Sequence, residues 1–171
     1  MSLSDANDHN HMRLIEIEVK QTCANHHETL QFFMLFQDFS RKVLAFLSTY
    51  VLIALSATGT MILFAKSVNN LFLLIEMIVS FECISFYAFL IAHFGQLLAD
   101  VSVEIFYESY YCGWYNFPLK TRPYVLLIML RASYPCELTS GPSAALKLNY
   151  ESFSALMNTA VSYMTVMASL I

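Results

Sequence analysis

The sequence has little of what soluble enzymes and nucleic-acid readers are built from. Only 13% of its residues are charged while 57% are hydrophobic, a balance outside the range of ordinary soluble domains, which could not hide so much apolar surface. Basic charge is scarce: nine Lys and Arg stand against thirteen Asp and Glu, net −4, which leaves no cationic surface for polyanions such as nucleic acid. Glycine occurs only four times, and no GxxxxGK[ST] loop, GxSxG elbow or HExxH helix is present, so enzymatic activity is not expected. The four cysteines, Cys23, Cys83, Cys112 and Cys136, are far apart and form no CxxC pair. Neither a zinc cage nor a disulfide framework is indicated; the thiols read as free, and no cofactor is expected. The polar stretch before Leu30, with Asp5, Asp8, His9 and His11, lacks the short apolar core of a cleavable signal peptide, so membrane insertion relies on internal helices.

What is present is uncharged length. No charged side chain occurs from Val43 to Ala65, which at roughly 1.5 Å per residue covers the ~30 Å hydrocarbon core of a bilayer as a helix. Gly59 and the small or hydroxylated Ser48, Thr49, Ser56, Ala57, Thr58 and Thr60 suit close helix packing in lipid. A second span runs from Leu71 to His93 and contains Glu76 and Glu82, whose carboxyls are expected to turn toward the bundle or a wet cavity because facing lipid is costly. They either lock helices together or lie beside a ligand or ion path. A third uncharged stretch, Ser152 to Ile171, follows Glu151. Asn158, Ser162, Thr165 and Ser169 recur along it at helical spacing, with Val166 and Leu170 adjoining the same side. That polar stripe requires another helix or a water-filled lumen as its partner.

The connection from 94 to 147 is too broken to cross. Asp100, Glu104 and Glu108 alternate with Leu97, Val101 and Ile105 as in an amphipathic helix, and Tyr110, Tyr111, Trp114, Tyr115 and Phe117 form an aromatic cluster before Pro118. Tyr124 to Leu130 reads as a short buried helix, and Ser133 to Pro142 as a loop. Before the first span, Met12 to Phe39 is also helical in pattern and would be a cytoplasmic extension of that span, with Leu14, Ile17, Leu30, Phe33, Met34 and Phe36 as buried positions. Within it, His26 and His27 lie about 100° apart around a helix and converge poorly on one ion; they read as structural or solvent-facing. The expected architecture is therefore an all-α, polytopic membrane protein. It has a helical segment at 1–42, spans at 43–65 and 71–93 joined by a loop at 66–70, helices and a loop at 94–147, and a last span at 148–171.

Orientation follows from the basic residues. With three crossings, Arg13, Lys20, Arg41, Lys42, Lys120, Arg122, Arg131 and Lys147 share one side and only Lys66 lies opposite. The positive-inside rule then places the amino terminus and the 94–147 connection in the cytoplasm and the carboxyl terminus outside, unlike a G-protein-coupled receptor.

Phe94-Gly95-Gln96-Leu97-Leu98 followed by Tyr110-Tyr111-Cys112-Gly113-Trp114-Tyr115-Asn116 resembles the segment after the penultimate membrane helix of insect odorant receptors. The order of landmarks continues through Arg122, Leu126 to Ser133, Pro135, Leu138-Thr139-Ser140-Gly141, Tyr150-Glu151-Ser152-Phe153 and Ser162-Tyr163, while Cys23 to Glu28 resembles the stretch before the fifth helix. In place of the gustatory receptors' Thr-Tyr, five residues, Gln-Phe, this chain has Ser162-Tyr163, five residues, Ser169-Leu170, which favours the odorant branch and a ligand-tuned subunit over the co-receptor.

The resemblance implies the carboxy-terminal portion of a seven-helix, multi-pass receptor in the plasma membrane. It implies an odorant-gated, non-selective cation channel of olfactory sensory neurons, built with a co-receptor as a hetero-oligomer, typically of four subunits. By position the last helix would line the pore, with Ser162, Val166, Ser169 and Leu170 at the gate. The outer half of the second span would contribute Glu76, Met77, Ser80 and Phe81 to a pocket for small volatile ligands, and the 97–133 helices would anchor subunits through Tyr111, Trp114 and Tyr115. The matched landmarks span only the last three helices, so the expectation includes a truncated receptor, with an inert or assembly-only membrane fragment as the alternative.

Overall fold

The computed structural model describes residues 3–141 and 146–169, with side chains from Met12 onward. Four α-helices carry the fold: α1 (Leu3–Ser67), α2 (Leu71–Tyr111), α3 (Arg122–Ala132) and α4 (Tyr150–Ala168). A single 3-10 turn, Trp114–Asn116, precedes α3, and two-residue strands β1 (Thr139–Ser140) and β2 (Leu146–Lys147) pair antiparallel before α4. The protein is an all-α membrane protein, with this hairpin as the exception among the described residues.

The two long helices run past the limits set by hydropathy. The first span and the helical pattern before it are one helix, because nothing between Phe39 and Val43 breaks a helix. Gly95, flanked by Phe94 and Gln96, is buried inside α2 rather than ending it, so the second span and the acidic amphipathic segment are also continuous. Between α1 and α2, Asn69 adopts φ 61, a left-handed conformation that asparagine tolerates. The Asn70 amide donates to the Ala65 carbonyl (3.2 Å), while its side-chain carbonyl accepts from the Leu73 amide (3.2 Å), so one residue serves the end of one helix and the start of the next.

Among the described residues, α1 and α2 are long and apolar enough to cross a membrane. The apolar window of α2 has none of its residues buried, which separates it from the core helix of a soluble protein. Phe46 (80% exposed), Phe72 (79%) and Phe86 (62%) point outward, as lipid-facing residues do. The α4 helix is less apolar and is not one of the two.

By contacts the chain divides into two units. One comprises α1 up to Phe36 together with Leu98–Cys136; the other comprises Gln37–Leu97 and the chain from Glu137 onward. In the first, α3 buries Val125, Ile128, Met129 and Ala132, one helical face, and leaves Leu126, Leu127 and Leu130 exposed. In the second, Val51, Leu55, Ala88 and Ala160 form the buried centre, with Phe81, Ile84, Phe153, Leu156 and Met157 packed around it. Two small-residue positions set how closely its helices approach. Gly59 faces the Met164 side chain of α4, and Gly95 faces the Leu148 backbone so closely that a Cβ would collide with its carbonyl oxygen.

Candidate functional site

The last helix is positioned by contacts made before it begins. Leu148 donates its amide to the Leu138 carbonyl (2.9 Å), continuing the hairpin ladder, and a Lys147–Glu137 ion pair (2.8 Å) braces it. From α1, the Gln37 amide nitrogen donates to both the hydroxyl and the carbonyl of Thr139, and the Ser48 and Ser140 hydroxyls lie 3.5 Å apart. Asn149 then caps α4, its side-chain oxygen accepting from the Ser152 amide (2.8 Å).

At the first residue of α4, the Tyr150 hydroxyl is 2.6 Å from Nδ1 of His93 on α2. The rings of Phe89, His93 and Tyr150 lie 6.0 to 6.1 Å apart, and Phe153 meets Phe89 edge-on at 5.8 Å. The start of α4 is thereby fixed to α2 through one polar bond inside an aromatic cluster. His93 and Tyr150 are functional candidates that sequence reasoning missed, since 57 residues separate them.

Beyond this cluster α4 has two unlike sides. Phe153, Leu156, Met157, Ala160 and Met164, spaced by three and four, meet α1 and α2. The opposite side carries Asn158, Ser162, Thr165, Val166 (58% exposed) and Ser169, all exposed. Its hydroxyls do not seek other helices. Ser162 donates to the Asn158 carbonyl (2.8 Å), Thr165 to Ser162 (2.8 Å) and Ser169 to Val166 (2.7 Å). Each proton is thus satisfied within the helix while lone pairs remain to face outward. Three of the four expected gate residues share this side, and Leu170 lies outside the described residues.

Met77, Ser80 and Phe81 are half-buried, the Ser80 hydroxyl donates to the Glu76 carbonyl (2.9 Å), and Phe81 packs against the core. Glu76 and Glu82 are exposed, off the side of α2 that carries Ala88, Ala92 and Gly95. An apolar recess between α1, α2 and α4, lined by Val51, Ala88, Phe153 and Leu156, measures about 50 Å³, far below the roughly 300–1,000 Å³ of ligand pockets. In the other unit, Tyr111 (76% exposed) and Tyr115 (63%) stand outward while Trp114 is half-buried after Gly113 at φ 73; the three are not brought into one cluster. All four cysteines are free thiols.

The family model described as "7tm Odorant receptor" matches residues 5–161, ending one residue before Ser162. No curated protein matches the chain. A match over nearly the whole length, to a family of membrane receptors and on a chain of long, outward-facing apolar helices, leaves one assignment: the protein belongs to the seven-transmembrane odorant receptor family.

Proposed function

We propose that the chain is a ligand-tuned subunit of an odorant-gated, non-selective cation channel in the plasma membrane of olfactory sensory neurons. In this reading α4 is the third crossing, the amino terminus is cytoplasmic, and a co-receptor supplies the other subunits of a tetramer. The observation that carries it is the two-sidedness of α4. One side is packed on α1 and α2, and the other is an exposed row of self-bonded hydroxyls and Val166. A helix less apolar than its neighbours cannot be surrounded by lipid on every side, so its polar side is best served by water. Its hydroxyl lone pairs offer neutral acceptors to a passing cation, which suits permeation without charge selection. Val166, with Leu170 one turn on, supplies an apolar ring that dewets when narrow and conducts when slight helix movement widens it. Eight of the nine Lys and Arg lie on the side of the amino terminus and the 94–147 connection, which supports the orientation.

Small volatile ligands would act through the outer part of α2, where Glu76, Met77, Ser80 and Phe81 lie, and helix movement there would reach α4 through the aromatic cluster at His93 and Tyr150. Exposed Tyr111 and Tyr115, with Trp114, are the proposed subunit contacts.

The test is cysteine substitution at Ser162, Val166 and Ser169 in a conducting complex with the co-receptor. A water-borne thiol reagent should modify the odorant-evoked current at these positions, and faster when the channel is open. Ala160→Cys, on the packed side, should stay inert, with the unsubstituted chain as control for exposed Cys83 and Cys112. Inertness at all three outer positions would remove α4 from the pore.

A further inference from the structure

The unit containing α3 holds a cavity for which the channel reading has no use. It measures about 180 Å³, too small for a two-chain phospholipid and below the roughly 300–1,000 Å³ of a drug-sized pocket. Leu30 and Phe33 of α1 and Val101 and Ile105 of α2 give it apolar walls, and His26 and Arg131 lie on the same lining. Nε2 of His26 is buried and has no hydrogen-bond partner, a state that carries the desolvation cost of a polar atom with nothing in return. Arg131 is held at this site by donation from Nη1 to the Tyr134 carbonyl (3.0 Å), and no carboxylate among the described residues pairs with it. Burial, then the nearby Arg131 charge, then His27 hold the His26 pKa below its usual value. An apolar chamber with an orphaned ring nitrogen and a guanidinium that has the Tyr134 carbonyl and the Cys136 thiol (Nη2 to Sγ 4.0 Å) but no carboxylate beside it is complementary to a molecule with a short hydrocarbon body and an anionic head.

We propose that this cavity binds a short-chain carboxylate, whose head accepts hydrogen bonds from Arg131 and from His26 Nε2–H and whose chain lies among Leu30, Phe33, Val101 and Ile105. The site is built wholly within one unit and does not depend on α4 lining a pore, so either idea can fail without the other.

The experiment titrates isotope-labelled hexanoate into the full chain in a neutral detergent. Binding is followed by ligand-observed NMR and by the fluorescence of Trp114, the one tryptophan, which lies in the same unit. Saturable binding is expected, with hexanol (no charge) and acetate (no chain) at least tenfold weaker. Arg131→Gln should weaken hexanoate tenfold or more and Arg131→Lys less, while Ile105→Phe, which fills the chamber without touching either polar group, should abolish binding and keep the thermal midpoint. Absence of saturable hexanoate binding to the unsubstituted chain would overturn the proposal. So would hexanol binding as tightly as hexanoate, or full affinity in folded Ile105→Phe protein.

Discussion

The two halves of α1 are one uninterrupted helix, yet they carry different kinds of polar side chain. Toward the amino terminus side chains pair with each other one turn apart: Glu16 with Lys20 at 2.6 Å, Gln21 with Asn25 at 3.0 Å, and His27 with Gln31 at 3.0 Å. Hydroxyls turn back on the helix in both halves, Thr22 donating to the Glu18 carbonyl and Thr29 to that of Asn25 (2.8 Å each), but from Ser48 to Thr60 hydroxyls are the only polar side chains. Ser48 and Thr49 donate to the Ala45 carbonyl (3.0 and 2.9 Å), Thr58 to Ala54 (2.8 Å) and Thr60 to Ala57 (2.8 Å). Lys20, Gln21 and Gln31 keep ammonium and amide protons that need water, whereas a hydroxyl bonded back to its own helix keeps no free donor and tolerates either lipid or water. The kind of polar group, rather than the bond it makes, separates the two halves. The helix passes from an aqueous to an apolar surrounding without a break because its backbone bonds are internal in both.

The largest effects should come from the lipid-type half of the molecule, where helices meet through small residues. Gly95→Val should destabilise by about 3 kcal/mol and cut surface delivery, since the obstacle is the Leu148 backbone, which cannot move aside without displacing the start of α4. Gly59→Ala meets only the flexible Met164 side chain and should cost about 1 kcal/mol, with a Gly59→Ala, Met164→Ala double variant less destabilised than the sum of the two. Leu55→Ala removes a fully buried side chain and should cost about 2 kcal/mol, at the low end for such truncations because lipid supplies no hydrophobic transfer term. Unfolding in mixed micelles measures all of these. A Gly95→Val cost no larger than that of Gly59→Ala would mean that backbone contact does not fix the approach of α4.

Much of this was legible beforehand, for stated reasons. Charge-free runs expose spans directly, so the membrane-crossing parts of α1 and α2 were readable, as was the polar stripe of α4, which helical spacing alone brings to one side. The helical pattern from Met12 to Phe39 reads as an extension of the first span and is one helix with it, whereas the continuation of α2 past His93 is not legible from hydropathy; Gly95, at the limit of that span, serves contact with Leu148. The Thr139–Ser140 strand lies in the stretch from Ser133 to Pro142 that reads as loop, since two-residue strands have no periodicity to detect. The apolar run from Tyr124 to Leu130 reads as a short buried helix, but a helix of that length turns only one side to its neighbours, so Leu126, Leu127 and Leu130 stay outside. Pairing of His93 with Tyr150 needs the tertiary fold and cannot be seen in local pattern.

A smaller effect tests that pairing. Tyr150→Phe keeps the ring contacts with Phe89 and His93 and deletes one hydrogen bond, so about 1 kcal/mol of stability should be lost. If the contact also transmits helix movement, the odorant concentration for half-maximal current should shift several-fold with delivery to the surface unchanged. His93→Phe should produce the same shift, and the double variant no further one, because both remove the same bond. Additive shifts would mean that the two residues act separately.

The smallest effect belongs to the aqueous half. Glu16 and Lys20 form an exposed pair one turn apart, and replacing either by Ala should leave the unfolding midpoint unchanged within error. Its signature is in titration instead. The hydrogen bond from Lys20, then its charge, lowers the Glu16 pKa, and the reciprocal contacts raise that of Lys20. Any stabilisation from Glu16 is therefore present above its unfolded pKa and lost as pH falls through the lower folded value. The Lys20 share is present below its own unfolded pKa and lost as pH rises through the higher folded one. NMR titration of the Glu16 carboxyl should show its pKa returning upward in Lys20→Ala and, because water and ions screen an exposed pair, moving the same way in high salt. Insensitivity of Glu16 to salt would show that this stretch of α1 is shielded from solvent, and the contrast between the two halves of the helix would collapse.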